Sequence, residues 1–155
     1  MKDFFHFAVL CLLVFLCGCD SKMVFEQNRQ IPDAIWDADK KVIFEPQISD
    51  TVSPYNLYIN LRNKGNFNFS NLYIFVDVFH PDGKIERDTI ECILANPQGR
   101  WLGKSGSGSV WENNILFSRK KRFPKPGKYV FRFEQAMREK KLEHILDVGL
   151  RIERE

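Results

Sequence analysis

A chain of 155 residues, 44% of them hydrophobic and 28% charged, suits one domain built around a single core. Its 23 basic and 20 acidic residues leave a net charge of +3, too mild to require nucleic acid or any other polyanion as a partner. Of four cysteines only Cys92 lies beyond the first nineteen residues, which rules out a disulfide scaffold in the rest of the chain.

The chain opens Met1-Lys2-Asp3 and then runs from Phe4 to Leu16 with only His6 interrupting apolar residues. That run is too short to cross a bilayer, which takes roughly 20 apolar residues, and reads as a secretory signal. Its end, Leu16-Cys17-Gly18-Cys19, resembles the lipobox: a bulky apolar residue, two small ones, and a cysteine whose thiolate takes a diacylglycerol before cleavage. An ordinary signal peptide with cysteines near its end is the alternative, and the immediate polar turn at Asp20-Ser21-Lys22 speaks against it. Residues 1–18 are therefore predicted to be removed and Cys19 to be lipidated. Each buried methylene stabilises attachment by about 0.8 kcal/mol, so two or three acyl chains hold permanently where one myristoyl chain holds marginally. Asp20 after the lipidated residue is an inner-membrane retention signal in some bacteria, and that rule does not fix the leaflet here.

Residues 19–40, polar with isolated Phe25, Ile31, Ile35 and Trp36, read as a lipidated tether or loosely held lead-in, followed by a β-sandwich domain over 41–155. Leu57, Ile59 and Leu61 alternate with Tyr58, Asn60 and Arg62, the period of a strand with one buried face. Ile74, Val76 and Val78 alternate with Phe75, Asp77 and Phe79, and His80-Pro81-Asp82-Gly83 supplies a turn, so residues 72–94 read as a hairpin. Cys92 is expected to pack there as a small hydrophobe, because no basic residue or histidine flanks it to lower its pKa. Ala95 to Ser109 reads as a long glycine-rich connection, and Val110 to Arg119 as a strand. After the turn marked by Pro124, Pro126 and Gly127 come strands carrying Tyr129, Phe131 and Phe133, and later Val148, Leu150 and Ile152. Between them Gln135 to His144 holds good helix formers, which predicts one or two helical turns. The fold class is thus mainly β, an antiparallel β-sandwich with one short helix near the C-terminus after an N-terminal signal peptide.

Catalytic motifs do not emerge. A phosphate loop needs two glycines four residues apart followed by Lys and Ser or Thr. Gly103 and Gly108 have the spacing but are followed by Ser109 and Val110, while Gly103-Lys104-Ser105 lacks a glycine at the required distance. Beyond the leader only His80 and His144 are present, neither with a second histidine or cysteine at ligand spacing, so no metal or other cofactor is expected. No Gly-x-Ser-x-Gly elbow occurs, and Glu91 and Glu134 fit the solvent faces of strands, so the reading is not an enzyme. Asp50-Thr51-Val52 and Asp88-Thr89-Ile90 match a three-residue O-glycosylation signal that also arises by chance.

Two groups remain as candidate contacts. The basic run Arg119-Lys120-Lys121-Arg122 suits anionic lipid headgroups, anionic glycan or an acidic protein face, or is a solvated loop between strands. Trp101 and Trp111 bracket the glycine-rich stretch; exposed, they would stack on a sugar or grip a partner, and packed, they would anchor the loop to the sandwich.

Several phrases together resemble the gliding-motility lipoprotein GldH family: Leu61-Arg62-Asn63, Asp88-Thr89, Leu94-Ala95, Gly99-Arg100-Trp101-Leu102-Gly103, Phe123-Pro124, Glu134-Gln135-Ala136-Met137-Arg138 and Asp147-Val148-Gly149-Leu150-Arg151-Ile152. The last two are the most specific, and Ser105 to Lys121 matches least. The resemblance implies an envelope lipoprotein of the kind gliding bacteria need for surface movement, linked to the type IX secretion apparatus. It brings no catalytic residue, and Cys19 is the one functional position it transfers. The expected protein is a non-enzymatic accessory anchored at the outer membrane by Cys19, with other envelope lipoproteins or motility and secretion components as partners and no nucleic acid. The alternative is a surface lipoprotein that binds glycan through Trp101 and Trp111.

Overall fold

A computed structural model describes residues 22–155; the predicted leader 1–18 and the predicted lipidation position Cys19 lie outside the described residues. The strands are β1 (Met23–Gln30), β2 (Ile35–Asp37), β3 (Val42–Phe44), β4 (Gln47–Ile48), β5 (Tyr55–Lys64), β6 (Asn71–Phe79), β7 (Ile85–Ile93), β8 (Lys104–Ser105), β9 (Val110–Lys121), β10 (Gly127–Lys128), β11 (Val130–Gln135), β12 (Lys141–Glu143) and β13 (Ile145–Arg154). A five-stranded sheet runs β1-β13-β5-β9-β8 and a four-stranded sheet β3-β11-β6-β7, with two-stranded ribbons β10-β4 and β12-β2. Every pairing is antiparallel.

The period-two pattern decides which face is buried. In β5, Tyr55, Leu57, Ile59 and Leu61 turn inward and are almost fully buried, as are Leu72, Ile74 and Val76 of β6, Phe131 and Phe133 of β11, and Val148, Leu150 and Ile152 of β13. All belong to one cluster, and each such side chain stabilises the fold by about 1.5–3 kcal/mol relative to exposure. Phe117 of β9 meets Phe133 of β11 edge-on at 6.3 Å, so the two larger sheets face each other across that core. At one end, the Met23 end, the rings of Tyr55, Phe123 and Tyr129 stack in T-shaped contacts of 5.3 and 4.7 Å. The hairpin of β6 and β7 turns at this same end, where Gly83 adopts φ 85° and donates to the His80 carbonyl at 3.0 Å.

Three stretches differ from expectation. Met23–Gln30, inside the segment read as a tether, is the edge strand β1, paired with β13 from Met23↔Glu153 to Gln30↔Asp147. An edge strand needs only one packed side, which Val24 and Phe25 provide, and so shows little apolar periodicity. Trp36, further along, is buried in β2 and donates to the Lys40 carbonyl.

The helical turns expected over Gln135 to His144 are absent; the one helical element among the described residues is a single 3-10 turn, Pro32–Ala34. Gln135 ends β11 with its amide buried, donating to the carbonyls of Glu139 (2.7 Å) and Lys140 (3.2 Å) and accepting from the Met137 N–H (2.9 Å). That ties residues 136–140 into a tight loop and delivers Leu142 and Ile145 to the core. Helix propensities differ by only a few tenths of a kcal/mol per residue, so two buried aliphatic side chains and a satisfied amide outweigh them.

The glycine-rich connection is fastened along its first half. Asn96 Oδ1 accepts from the N–H groups of Gln98 (3.1 Å) and Arg100 (2.9 Å), and Ala95 bridges to Trp101. A Cβ at Gly103 would lie 2.6 Å from both Asn113 Oδ1 and the Glu112 carbonyl, so only glycine lets this backbone approach β9 so closely. The short β8 follows, paired with Glu112 and Trp111.

Candidate functional site

The outer face of the five-stranded sheet carries a polar groove of about 750 Å³. Its floor is a row of neighbours crossing four strands, Asn28 on β1, Gly149 on β13, Asn60 on β5 and Asn114 on β9. Outward positions of strands are polar by the alternation rule, but Gly149 is a gap in the row. Asn28 Oδ1 fills it, lying 1.9 Å from where a Cβ would stand. Across the gap Asn60 Nδ2 donates to Glu26 Oε1 (2.8 Å) and Asn28 Oδ1 (3.2 Å), and Asn114 Nδ2 donates to Asn60 Oδ1 (2.7 Å). Ion pairs flank the amides on both sides: Arg62 with Asp147 (2.9 Å) and Glu112 (3.5 Å), and Arg151 with Glu26 (2.9 Å) and Glu153. Such a face can exchange hydrogen bonds with a polar ligand or partner. Its lining has no Ser, Thr, Cys or His side chain, and among the described residues no three His, Cys, Asp or Glu side chains converge as a metal ion would require.

The other outer face is satisfied internally. Asp77, buried although it points outward, accepts from Arg132 Nε (3.0 Å) and Nη2 (2.7 Å) and pairs with Arg87 at 3.4 Å. The guanidinium groups of Arg87 and Arg132 lie over the rings of Phe75 and Phe79.

The two groups singled out in the sequence fall at opposite ends of β9. Trp101 and Trp111 are half-buried, tilted 33° with centroids 6.5 Å apart, and Trp101 also meets Phe67 at 6.4 Å. Phe67 in turn packs edge-on against Phe69, while Leu102 beside them is exposed. The basic run sits roughly 30 Å away along the strand, at the Met23 end. Lys121 Nζ donates to Glu86 at 2.5 Å, Lys120 pairs with Glu155 at 3.3 Å, and Arg122 donates to the Val52 carbonyl. Arg119 is exposed.

Local electrostatics follow from these contacts. The Lys121 and then Lys84 hydrogen bonds hold the Glu86 carboxyl down at about 2, against opposing burial. Asp50 is also held at about 2, first by the Ser53 hydroxyl and then by the N–H groups of Ser53 and Val52. Burial pushes the Cys92 thiol up to about 12, so it is a packed side chain without thiolate reactivity. His80 is buried with its ring edge-on to Tyr129; its Nε2 lies 3.3 Å from Glu86 Oε1 without hydrogen-bond geometry. The asparagine row escaped the sequence reading because outward asparagines look like ordinary solvent-facing residues. Gly149 inside an alternating run was the available signal, since glycine in a strand marks a close approach.

An all-β domain with a hydrogen-bonding outer face, whose described cysteine is sealed in the core, defines the class. The family described as GldH lipoprotein matches residues 23–152, the first residue of β1 almost to the end of β13, and the chain belongs to that family. It is 34% identical over 155 residues to "Gliding motility lipoprotein GldH homolog" of Christiangramia forsetii, covering 96% of this chain and 94% of that protein. It is 35% identical over 152 residues to "Gliding motility lipoprotein GldH" of Flavobacterium johnsoniae, covering 94% and 93%. A chain in "Structure of infectious bursal disease virus Gx strain" overlaps 88% of this chain and 33% of its own length at 13% identity and a TM-score of 0.29, too low to carry an argument. Among the described residues no helix is long and apolar enough to cross a membrane.

Proposed function

We propose that this protein is a non-enzymatic, lipid-anchored accessory of the cell envelope that supports gliding motility and the type IX secretion machinery through protein contacts. The carrying observation is the near full-length relationship to proteins named gliding motility lipoproteins. The lipobox Leu16-Cys17-Gly18-Cys19 supplies the anchor, with residues 1–18 removed and Cys19 acylated at the outer membrane. Its partners are other envelope lipoproteins or components of the motility and secretion apparatus, and no cofactor takes part. Polar faces and a half-buried aromatic cluster at Trp101 and Trp111 suit recognition of a protein surface, and the absence of a catalytic constellation in the sequence agrees with a non-enzymatic role.

The test is a deletion strain complemented with the wild-type chain or with Cys19→Ala. Colony spreading and secretion are expected to be lost on deletion, restored by the wild type, and not restored by Cys19→Ala, which also fails to incorporate labelled palmitate. Normal spreading and secretion in the deletion strain would overturn the proposal. A glycan-array signal removed by Trp101→Ala or Trp111→Ala would favour surface glycan binding instead.

A further inference from the structure

From the end of the molecule at which the chain enters β1, we infer that this protein docks on anionic lipid headgroups through a built basic face, with Val52 at its tip. The inference rests on the Cys19 anchor proposed above. Only three residues separate Cys19 from Met23, so the first strand residue lies at most roughly 14 Å from the acylated position, at about 3.3–3.6 Å per residue. The ten residues of β5 span roughly 33 Å. A leash shorter than half that length keeps the Met23 end, and not the Trp111 end, at the headgroup layer.

The sheet register shows what that end carries. Met23 pairs with Glu153 and Glu153 with Asn56; Arg154 pairs with Tyr55 and Tyr55 with Lys121. The Arg154 N–H donates to the Lys22 carbonyl at 2.8 Å, closing the line. The basic run therefore lies at the level of the anchor. Between Leu57↔Ser118 and Tyr55↔Lys121, the two residues Arg119 and Lys120 face the single residue Asn56, which is a β-bulge. Lys120 takes φ 56° there, with its N–H held by Asn56 Oδ1 at 3.1 Å. A bulge re-aims side chains at a sheet end, and here it turns Arg119 and Lys120 outward, both exposed.

A second element completes the face. Arg122 donates to the carbonyl of Val52, whose side chain at 76% exposure is the most exposed large apolar one among the described residues. The loop bearing it is rigid: Asp50 accepts from Val52 N–H (2.9 Å), Ser53 N–H (3.0 Å) and the Ser53 hydroxyl (2.6 Å), and Tyr55 Oη donates to the Asp50 carbonyl. The carboxylates nearby are engaged, Asp50 by Arg154, Glu153 by Arg151 and Glu155 by Lys120. Among the described residues Arg119 and Arg122 make no ion pair with a carboxylate, which leaves the Arg119 guanidinium and the N–H groups of Arg122 not spent on Val52 for phosphate oxygens. Acyl chains plus a basic patch form a two-signal membrane anchor, and attraction to an anionic leaflet acts within about a Debye length, a distance this leash does not greatly exceed.

The test uses the lipidated full-length product in phosphatidylcholine vesicles with and without phosphatidylglycerol, doped with a headgroup-level quencher. A fluorophore is attached through Val52→Cys or, at the far end, Ser107→Cys; buried Cys92 stays unlabelled. With phosphatidylglycerol present, quenching at position 52 is expected to be severalfold stronger than at 107. It should fall when salt is raised, in Arg119→Gln, and in Arg119→Glu combined with Arg122→Glu, with circular dichroism unchanged. Equal quenching at both positions overturns the docking face and leaves the anchor standing. Strong quenching at 52 that ignores phosphatidylglycerol, salt and Arg119→Gln shows that the leash alone orients the domain, and overturns lipid recognition by the basic residues. Failure to sediment with either vesicle overturns the anchor and this inference together.

Discussion

A methyl group at position 149 would lie 1.9 Å from Asn28 Oδ1 and 2.8 Å from the Gln27 carbonyl oxygen. Gly149→Ala therefore has to displace the Asn28 amide and strain the β1–β13 ladder, at a cost of about 1–3 kcal/mol. Urea unfolding is expected to show that loss, and hydrogen exchange to place it in the amides of β1. Adding Asn28→Ser should recover part of it, since the clash with Gln27 remains. A second residue-scale effect depends on pH. Glu86 is held at about 2 against an ordinary value of 4.5, chiefly by Lys121. A depressed carboxylate contributes stability that is fully present above about 4.5 and lost as pH falls through about 2. Replacing Lys121 by Met is expected to lower Tm above that window, and the gap between variant and wild type should close as pH drops across it. A constant gap in melting curves from pH 5 to 2 would refute this.

At the scale of elements, Gln135 shows how one buried side chain overrides local preference. Gln135→Ala removes the side-chain bonds to the Glu139 carbonyl and the Met137 N–H and leaves the Lys140 carbonyl with the Ala38 N–H alone. A loss of roughly 1–3 kcal/mol is expected, with faster exchange at Met137 and in β12 while β5 and β6 stay protected. The same residue marks where sequence reasoning reached its limit. The alternations in β5, β6, β11 and β13 were legible because each strand buries one face, so period two is written into Leu57-Ile59-Leu61 and Val148-Leu150-Ile152. The region after Gln135 looked helical because its residues favour helices locally, and the pull of Leu142 and Ile145 toward the core is not a local property. β1 was hidden for the opposite reason: Glu26, Asn28 and Gln30 face outward on an edge strand, so its polar sequence resembles a linker. The Trp101–Trp111 pairing was readable as two tryptophans bracketing a loop, but not their joint packing with Phe67.

On the whole-molecule scale, with Cys19 acylated as proposed, the three residues between it and Met23 would tie the height of the domain to the lengths of its strands. Inserting about ten Gly/Ser residues between Ser21 and Lys22 adds roughly 18 Å of root-mean-square reach. Palmitate incorporation and membrane fractionation are expected to be unchanged and colony spreading to fall, because the Trp111 end is no longer held at one distance from the bilayer. Full spreading with the longer leash would show that a fixed stand-off does not matter. Strand β1 also has a mechanical consequence. It runs from the anchor end along the long axis of the sheet, bonded to β13 from Met23 to Gln30. A tug between the fatty chains and a partner gripping the opposite pole therefore loads those hydrogen bonds in shear, all at once, so they cannot be peeled apart one by one. With Cys19 as the proposed anchor, the strand that follows it is thereby the one best placed to bear traction.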